Sequence, residues 1–405
     1  MNYTSAPFAH PLYLMAKPAG SRCNLQCKYC YYLEKEKLYS QNSRQTMSER
    51  MLEKFVKEYI EAQTGNNVLF VWHGGEPLLR PIEFYRNAVR LQRIYGAGRH
   101  IENCLQTNAT LLTEEWCRFL RENNFLVGVS IDGTQQMHDA YRTCRDGRGT
   151  WQRAVRGIDL LNRHGIEWNA LAVVNSANVG QPLEFYRFFK SINCHFLQFT
   201  PIVERIVASR NDGLTLAPGM TEGGDIAEFS VTPKQWGDFL CSIFDEWVHN
   251  DVGEYFVQIF DSTLANWAGV APGLCTLAKE CGHAGIVEHN GDVYSCDHFV
   301  YPEHKLGNLQ QATITQMMYL EKQREFSRMK SQMLPQQCRE CDVLFACHGE
   351  CPKNRFIHDC YGNPGLNYLC EGYRAFFRHS APYMEFMKNE LAAHRPPANV
   401  MKATF

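Results

Sequence analysis

The sequence predicts an α/β protein: a parallel sheet with helices outside it, followed by a smaller cysteine-rich domain. Three observations lead there. Strand-like and helix-like segments alternate six times in the first half of the chain, and such alternation favours parallel strands joined by crossover helices. Beyond Pro272 the composition becomes dense in Cys, His and Gly and loses its long apolar periods, which marks a domain change at about 271. The chain has 405 residues, 45% apolar and 21% charged, enough for one large core and one small one.

The first strand is LYLMAK (12–17), which runs into a cysteine loop. Residues 47–63 carry apolar side chains at helical spacing, with Ser48 as N-cap. VLFVW (68–72) is a short buried strand, followed by a turn and a helix near 82–95. IENCLQT (101–107) comes next, and Thr113 then caps a helix through Asn123 with Glu114 and Glu115 in its first turn. FLVGVSID (125–132) is a strand, and a helix near 150–164 ends at Gly165. WNALAVV (168–174), a helix over 182–190 and HFLQFT (195–200) complete the series. Periodicity leaves open whether this sheet is flat or curls into a barrel. Residues 204–230 read as a Gly-rich excursion, 235–268 as helical, and 376–393 as a last amphipathic helix.

A formal net charge of −2 gives no reason to expect a nucleic-acid or anionic-membrane partner. No apolar run reaches transmembrane length, and MNYTSAPFAHPLYLMAKPAG lacks a signal-peptide pattern, so a cytoplasmic location is expected.

Seventeen cysteines are the anomaly. Their number is odd and they cluster in short spacings, which favours metal binding over a disulfide framework. Cys23, Cys27 and Cys30 form a C-x3-C-x2-C loop directly after the first strand. Three thiolates leave one iron of a [4Fe–4S] cluster without a protein ligand, and a substrate or cofactor can bind there. A structural zinc would want a fourth ligand, and none follows before His73; a three-ligand catalytic zinc is the competing reading. The second half carries Cys275, Cys281, Cys296, then C-x2-C-x5-C-x3-C (Cys338, Cys341, Cys347, Cys351), and Cys370. These suffice for two fully ligated clusters or two zinc sites, and Cys360 is an alternative to Cys370. Cys104, Cys117, Cys144, Cys194 and Cys241 stand alone and read as ordinary core residues.

The triad, with Tyr29 before its last cysteine, resembles the signature of the radical S-adenosylmethionine family. That resemblance implies a partial (β/α)6 TIM-like barrel. It also implies an open iron chelated by S-adenosylmethionine, whose cleavage supplies a 5′-deoxyadenosyl radical. Gly74-Gly75-Glu76-Pro77, at the end of the second strand, resembles the family's cofactor turn. There the glycines admit close approach, and Glu76 with edge carbonyls receives the methionine ammonium. Gln106-Thr107-Asn108 and Ser130 lie at later strand C-termini, the ends that face ligand in parallel α/β sheets. By the same resemblance Ser130 matches a ribose-binding position, Arg142 a cofactor-contacting arginine, and Val203 a residue packed on the adenine.

The later cysteines resemble a SPASM extension. The implied ligand sets are Cys275, Cys281, Cys296 and Cys351 for one cluster, and Cys338, Cys341, Cys347 and Cys370 for the other. With the triad, this makes three [4Fe–4S] clusters. Full ligation leaves the last two an electron-transfer role. The implied layout is a barrel over 1–235, a helical linker over 236–270, the SPASM domain over 271–375, and a helix and tail over 376–405.

Residues 285–309 read as a hairpin turning at Asn290-Gly291 that delivers Cys296, with Asp297 next. Together with KPAGSRCNLQCKYCYYLEK, WHGGEP, LQTNATLL and FLVGVSIDG, this resembles the anaerobic sulfatase-maturating enzymes from about residue 10 to 390. The implied activity is oxidation of Cys or Ser, within a C/S-x-P-x-R segment of an unfolded sulfatase, to formylglycine. Asp297 would be the base, expected to hold its proton more readily beside an anionic cluster. A flavodoxin- or ferredoxin-type protein would supply electrons. Tyr32 matches a substrate-side aromatic, and His73, where some members carry Gln, is either a substrate contact or a packed histidine. Two alternatives are a crosslink-forming SPASM enzyme and a non-catalytic zinc scaffold.

Overall fold

Six parallel strands lie side by side in chain order: β1 (Tyr13–Ala16), β2 (Asn67–Trp72), β3 (His100–Thr107), β4 (Phe125–Ser130), β5 (Trp168–Val174) and β6 (Phe196–Pro201). The computed structural model describes residues 12–39, 46–208, 210, 213–282 and 284–404. The start of the amino-terminal stretch and parts of the excursion read above lie outside the described residues. Strand order without a reversal is that of a barrel, not of a doubly wound sheet. Right-handed crossovers then fall on one face, and the other face curls inward with the strand C-termini on one rim.

Two of the crossover helices open on side-chain caps. Ser48 accepts from Met51 N at 3.2 Å to open α2 (Glu49–Ala62), which follows the five-residue α1 (Tyr31–Lys35). After α3 (Ile82–Tyr95), Thr113 accepts from Trp116 N at 3.3 Å to open α4 (Glu114–Glu122). The short α5 (Gln135–Asp139) precedes α6 (Trp151–Arg163), beyond which Gly165 takes a left-handed φ of 61°. Helix α7 (Pro182–Ser191) leads into β6. Aromatic packing joins helices to sheet: Phe55 lies 5.9 Å from Phe70, and Phe185 lies 5.5 Å from Phe199. Burying each ring contributes about 1.5–3 kcal/mol.

Within the excursion, β7 (Arg205–Ile206) and β8 (Asp225–Ile226) form a small ribbon. Helix α8 (Pro233–Asn250) follows, then β9 (Phe256–Val257), which pairs with β6, and α9 (Gln258–Trp267).

The composition change near residue 271 is no break in the sheet. β10 (Ala284–Val287) pairs parallel with β1, and β11 (Asp292–Tyr294) and β12 (Lys305–Asn308) continue antiparallel from it. The hairpin predicted around Asn290-Gly291 therefore extends the barrel sheet and sets the cysteine-rich region beside β1. The segment without long apolar periods still holds α10 (Ile314–Met318), α11 (Glu321–Gln332), α12 (Gln336–Arg339), α13 (Leu344–Cys347) and the pair β13 (Arg355–His358) and β14 (Pro364–Asn367). Helix α11 escapes a hydrophobicity reading because its buried face includes Gln323, Ser327 and Lys330. The last helix, α14 (Cys370–Ala392), starts at the final cysteine and not near 376. It crosses α8 closely, since a Cβ on Gly372 would lie 2.2 Å from Pro233 O.

Candidate active site

The cysteine triad occupies the loop between β1 and α1, on the C-terminal rim of the sheet. Two backbone bonds hold it, from Gln26 N to Thr143 O (2.8 Å) and from Lys28 N to Tyr141 O (3.0 Å). The Gly-Gly-Glu turn after β2 grips it from the other side. Gly75 N donates to Gly20 O at 2.9 Å and Glu76 N to Arg22 O at 2.8 Å. A Cβ on Gly75 would sit 2.0 Å from Arg22 O. The backbone that closely approaches Gly75 is thus that of the cysteine loop, where a ligand was expected.

Glu76 is buried and differs from expectation in the same way. Its Oε1 accepts from Leu78 N (2.9 Å) and Thr107 Oγ1 (2.8 Å), and its Oε2 from Asn108 N (2.9 Å). These bonds tie the ends of β2 and β3 together. Burial raises its carboxyl to about 7, against the lowering by those donors.

Tyr29 and Arg142 meet at Asp132, a residue the sequence reading passed over. Arg142 Nε donates to Asp132 Oδ2 at 2.8 Å, and the Tyr29 hydroxyl donates to the same oxygen. Asp132 Oδ1 accepts from Val173 N at 2.9 Å, so one buried carboxylate joins the rims of β4 and β5. Ser130 ends β4 and receives Gln106 Nε2 at 3.1 Å. Val203 is buried just past β6, and its carbonyl accepts from Lys353 Nζ at 3.0 Å.

Asp297 sits where the hairpin from β11 reaches the barrel rim. Its Oδ2 accepts from the hydroxyls of Tyr31 (2.7 Å) and Tyr32, whose rings stack 4.4 Å apart. Its Oδ1 receives no hydrogen bond of good geometry and faces Lys17 Nζ at 2.8 Å. Lys17 is 1% exposed, pairs also with Glu288 at 3.0 Å, and lies 4.5 Å over the Tyr32 ring. His73 completes the group: Tyr32 Oη is 3.4 Å from its Nδ1, which also accepts from Gly74 N at 2.7 Å. The expectation that Asp297 holds its proton more readily rests on an anionic cluster beside it, and the protein sets a fixed cation, Lys17, against that effect. Burial alone would raise its carboxyl, but Lys17 foremost, with His73 and His298, holds it below the usual carboxylate range. Burial in turn lowers His73, so the imidazole is neutral near pH 7.

The later cysteines gather into two groups. Burial and the neighbouring charges of Cys351, Cys275 and Cys281 push Cys296 up. Cys351 is raised by burial, Glu350, Cys281 and Cys275, which puts it in that first group. Cys338 is pushed up to about 12 by burial and by Cys370 and Cys341, and Cys347 also sees Cys370 and Cys338. Cys338, Cys341, Cys347 and Cys370 line a cavity of about 360 Å³, with the exposed Cys360 also on its wall. Of the five lone cysteines, Cys117 and Cys194 are buried, whereas Cys104, Cys144 and Cys241 are only half-buried. Cys144 is no core residue: it lies in the loop before α6 and receives Arg153 Nη2.

These thiols suit iron–sulfur clusters. Burial, then Glu76 and the other two thiols, push Cys23 up to about 12, so the three thiols lie near enough to feel one another's charge, as ligands of one centre must. Among the described residues no three Cys, His, Asp or Glu groups lie close enough to share one ion. A cubane presents a separate iron to each thiolate and needs no such closeness. Among the described residues no helix is long and apolar enough to cross a membrane.

Residues 18–189 match the radical SAM superfamily and residues 280–342 the iron–sulfur cluster-binding SPASM domain. The class is therefore a radical S-adenosylmethionine enzyme with an iron–sulfur extension. A serine-type anaerobic sulfatase-maturating enzyme of Bacteroides thetaiotaomicron is 61% identical over 99% of this chain and 97% of its own length. A cysteine-type counterpart from Clostridium novyi is 32% identical over 94% and 98%. Native anSMEcpe with bound AdoMet and Cp18Cys peptide superimposes with a TM-score of 0.82 at 31% identity, over 94% of this chain and 99% of that one. The chain belongs to the anaerobic sulfatase-maturating enzymes.

Sequence reasoning missed Lys17 and Asp132. Each ends or follows a parallel strand at its C-terminal rim, and that position was the available signal.

Proposed function

We infer that this protein oxidises a serine in an S-x-P-x-R segment of an unfolded sulfatase to formylglycine, with cysteine in the same place as a secondary target. The observation that carries the choice of serine is the 61% identity to the serine-type enzyme, against 32% to a cysteine-type one. Conversion of –CH2OH to –CHO removes one hydrogen atom from Cβ, one proton from oxygen and one electron. Bound S-adenosylmethionine, cleaved at the reduced triad cluster, supplies the radical that takes the hydrogen atom.

The chain's own residues do the rest. Asp297 Oδ1, the carboxylate oxygen that faces Lys17 and not the two tyrosine hydroxyls, accepts the hydroxyl proton. Tyr31 and Tyr32 fix the carboxylate plane through Oδ2, and Lys17 keeps it ionised until the proton arrives. Tyr32 and His73 form the substrate-side wall. Gly74, Gly75 and Glu76 hold the triad loop, and the edge of that turn receives the cofactor's methionine end. Tyr29, Ser130, Arg142 and Val203 line its nucleoside end. Cys23, Cys27 and Cys30 ligate the first cluster. Cys275, Cys281, Cys296 and Cys351 ligate the second, and Cys338, Cys341, Cys347 and Cys370 the third. Bound there, the last two would supply a sink for the electron, and a flavodoxin- or ferredoxin-type protein would supply electrons to the first. All seventeen cysteines are unbridged, which suits a reducing, cytoplasmic setting.

The test is a reduced, cluster-loaded preparation given S-adenosylmethionine and two peptides differing only in Ser or Cys at the target position. The serine peptide is expected to lose two hydrogens and react with an aldehyde probe. Turnover of the cysteine peptide alone would refute the serine assignment.

A further inference from the structure

Two buried cations lie among the later cysteines without a carboxylate partner. Lys330, on α11, is fully buried, and its Nζ donates to the carbonyls of Cys275 (2.8 Å), Thr276 (2.7 Å) and Ala278. Arg355, at the start of β13, is 1% exposed. It donates to Gly349 O (2.8 Å), Lys330 O (2.6 Å), His348 O (2.9 Å) and Glu350 O (3.1 Å). Among the described residues neither makes an ion pair. The nearby Glu350 carboxylate is engaged with Asn367 (2.8 Å) and Tyr373 (3.3 Å).

A buried cation without an anion is strongly unfavourable, and carbonyl dipoles offset only part of that. The negative groups that act on Lys330 are Cys281, Cys351, Cys275 and then Glu350, which counter the lowering by burial. Those that act on Arg355 are Cys338 of one group, Cys351 of the other, Glu350 and Cys281. The triad differs: its nearby Arg142 is already neutralised by Asp132 at 2.8 Å. Among the described residues, Glu350 is a carboxylate that acts on both cations but forms an ion pair with neither, so the later thiols have positive charge beside them that no ion pair neutralises.

We propose that Lys330 and Arg355 are redox-tuning residues, fixed cations that raise the reduction potential of the cluster on Cys275, Cys281, Cys296 and Cys351 so that it accepts the electron leaving the substrate. The inference rests on the cluster ligation proposed above. One-electron reduction, [4Fe–4S]2+ to [4Fe–4S]+, adds a negative charge and no proton, so a neighbouring fixed cation favours the reduced form. In turnover the electron comes from the substrate carbon after hydrogen-atom and proton loss. Asp297 follows Cys296 directly, so the proton acceptor and the electron acceptor adjoin.

The experiment is an EPR-monitored dithionite titration of the loaded enzyme, beside Lys330→Met, Lys330→Gln (which keeps two amide donors), Lys330→Arg and the exposed control Lys279→Met. Lys330→Met or Lys330→Gln is expected to move one later cluster's midpoint to more negative potential. The triad cluster should stay in place, Lys330→Arg should restore the midpoint, and Lys279→Met should leave all of them unchanged. Unchanged midpoints in fully loaded Met and Gln variants overturn the proposal. Failure of all three Lys330 variants to load that cluster also overturns it, since the lysine then serves assembly. A parent enzyme lacking about twelve irons would instead refute the three-cluster reading on which the proposal stands.

Discussion

Asp297→Asn is expected to cut formylglycine formation by about a hundredfold or more while S-adenosylmethionine is still cleaved. The amide is nearly isosteric and can keep the Tyr31 and Tyr32 hydroxyls, so the rim geometry survives. What it lacks is the carboxylate oxygen that faces Lys17. Without a proton acceptor, the substrate radical cannot readily pass on its electron, and uncoupled 5′-deoxyadenosine accumulates. Quantifying 5′-deoxyadenosine and aldehyde from the same reactions checks this. Equal loss of both products would mean that Asp297 supports the cofactor instead, and full aldehyde yield would remove it from the chemistry.

Lys17→Met should be the most damaging substitution for stability near the site. It leaves the buried Glu288 and the half-buried Asp297 without their shared cation, at a cost of about 3–5 kcal/mol. The two acids would also repel each other across the seam between β1 and β10. Thermal melting of the variant tests the magnitude. The companion Lys17→Met/Glu288→Gln should recover part of the loss, because one orphaned charge is gone. An unchanged Tm in Lys17→Met would show that the ion pairs contribute nothing to the seam.

The cysteine arithmetic was the most legible part of the chain. Short spacings marked the triad and the run Cys338 to Cys351, whereas the sorting of the later thiols into two sets came from the family resemblance; the hairpin around Asn290-Gly291 could be read from its turn chemistry. The alternating strands and helices were equally plain because the crossovers are amphipathic, and two of them open on Ser48 and Thr113 caps. Three kinds of feature were not legible. Helix α11 turns Gln323, Ser327 and Lys330 inward, so no apolar period announces it. The parallel pairing of β10 with β1 joins residues some 270 positions apart, and no local pattern encodes such a partner. The ion pairs around Asp297 arise where Lys17, after β1, meets the distant segment that carries Glu288 and Asp297. The sequence suggested a carboxylate beside an anionic cluster, and no local pattern placed the Lys17 cation against it.

The central claim is that a cofactor-derived radical takes a hydrogen atom from the Cβ of the target residue. A Ser-x-Pro-x-Arg peptide deuterated at that Cβ, mixed with reduced enzyme and S-adenosylmethionine, tests it most directly. The account predicts deuterium in 5′-deoxyadenosine and an aldehyde in the peptide, both appearing together. Unlabelled 5′-deoxyadenosine beside an unchanged peptide would contradict it.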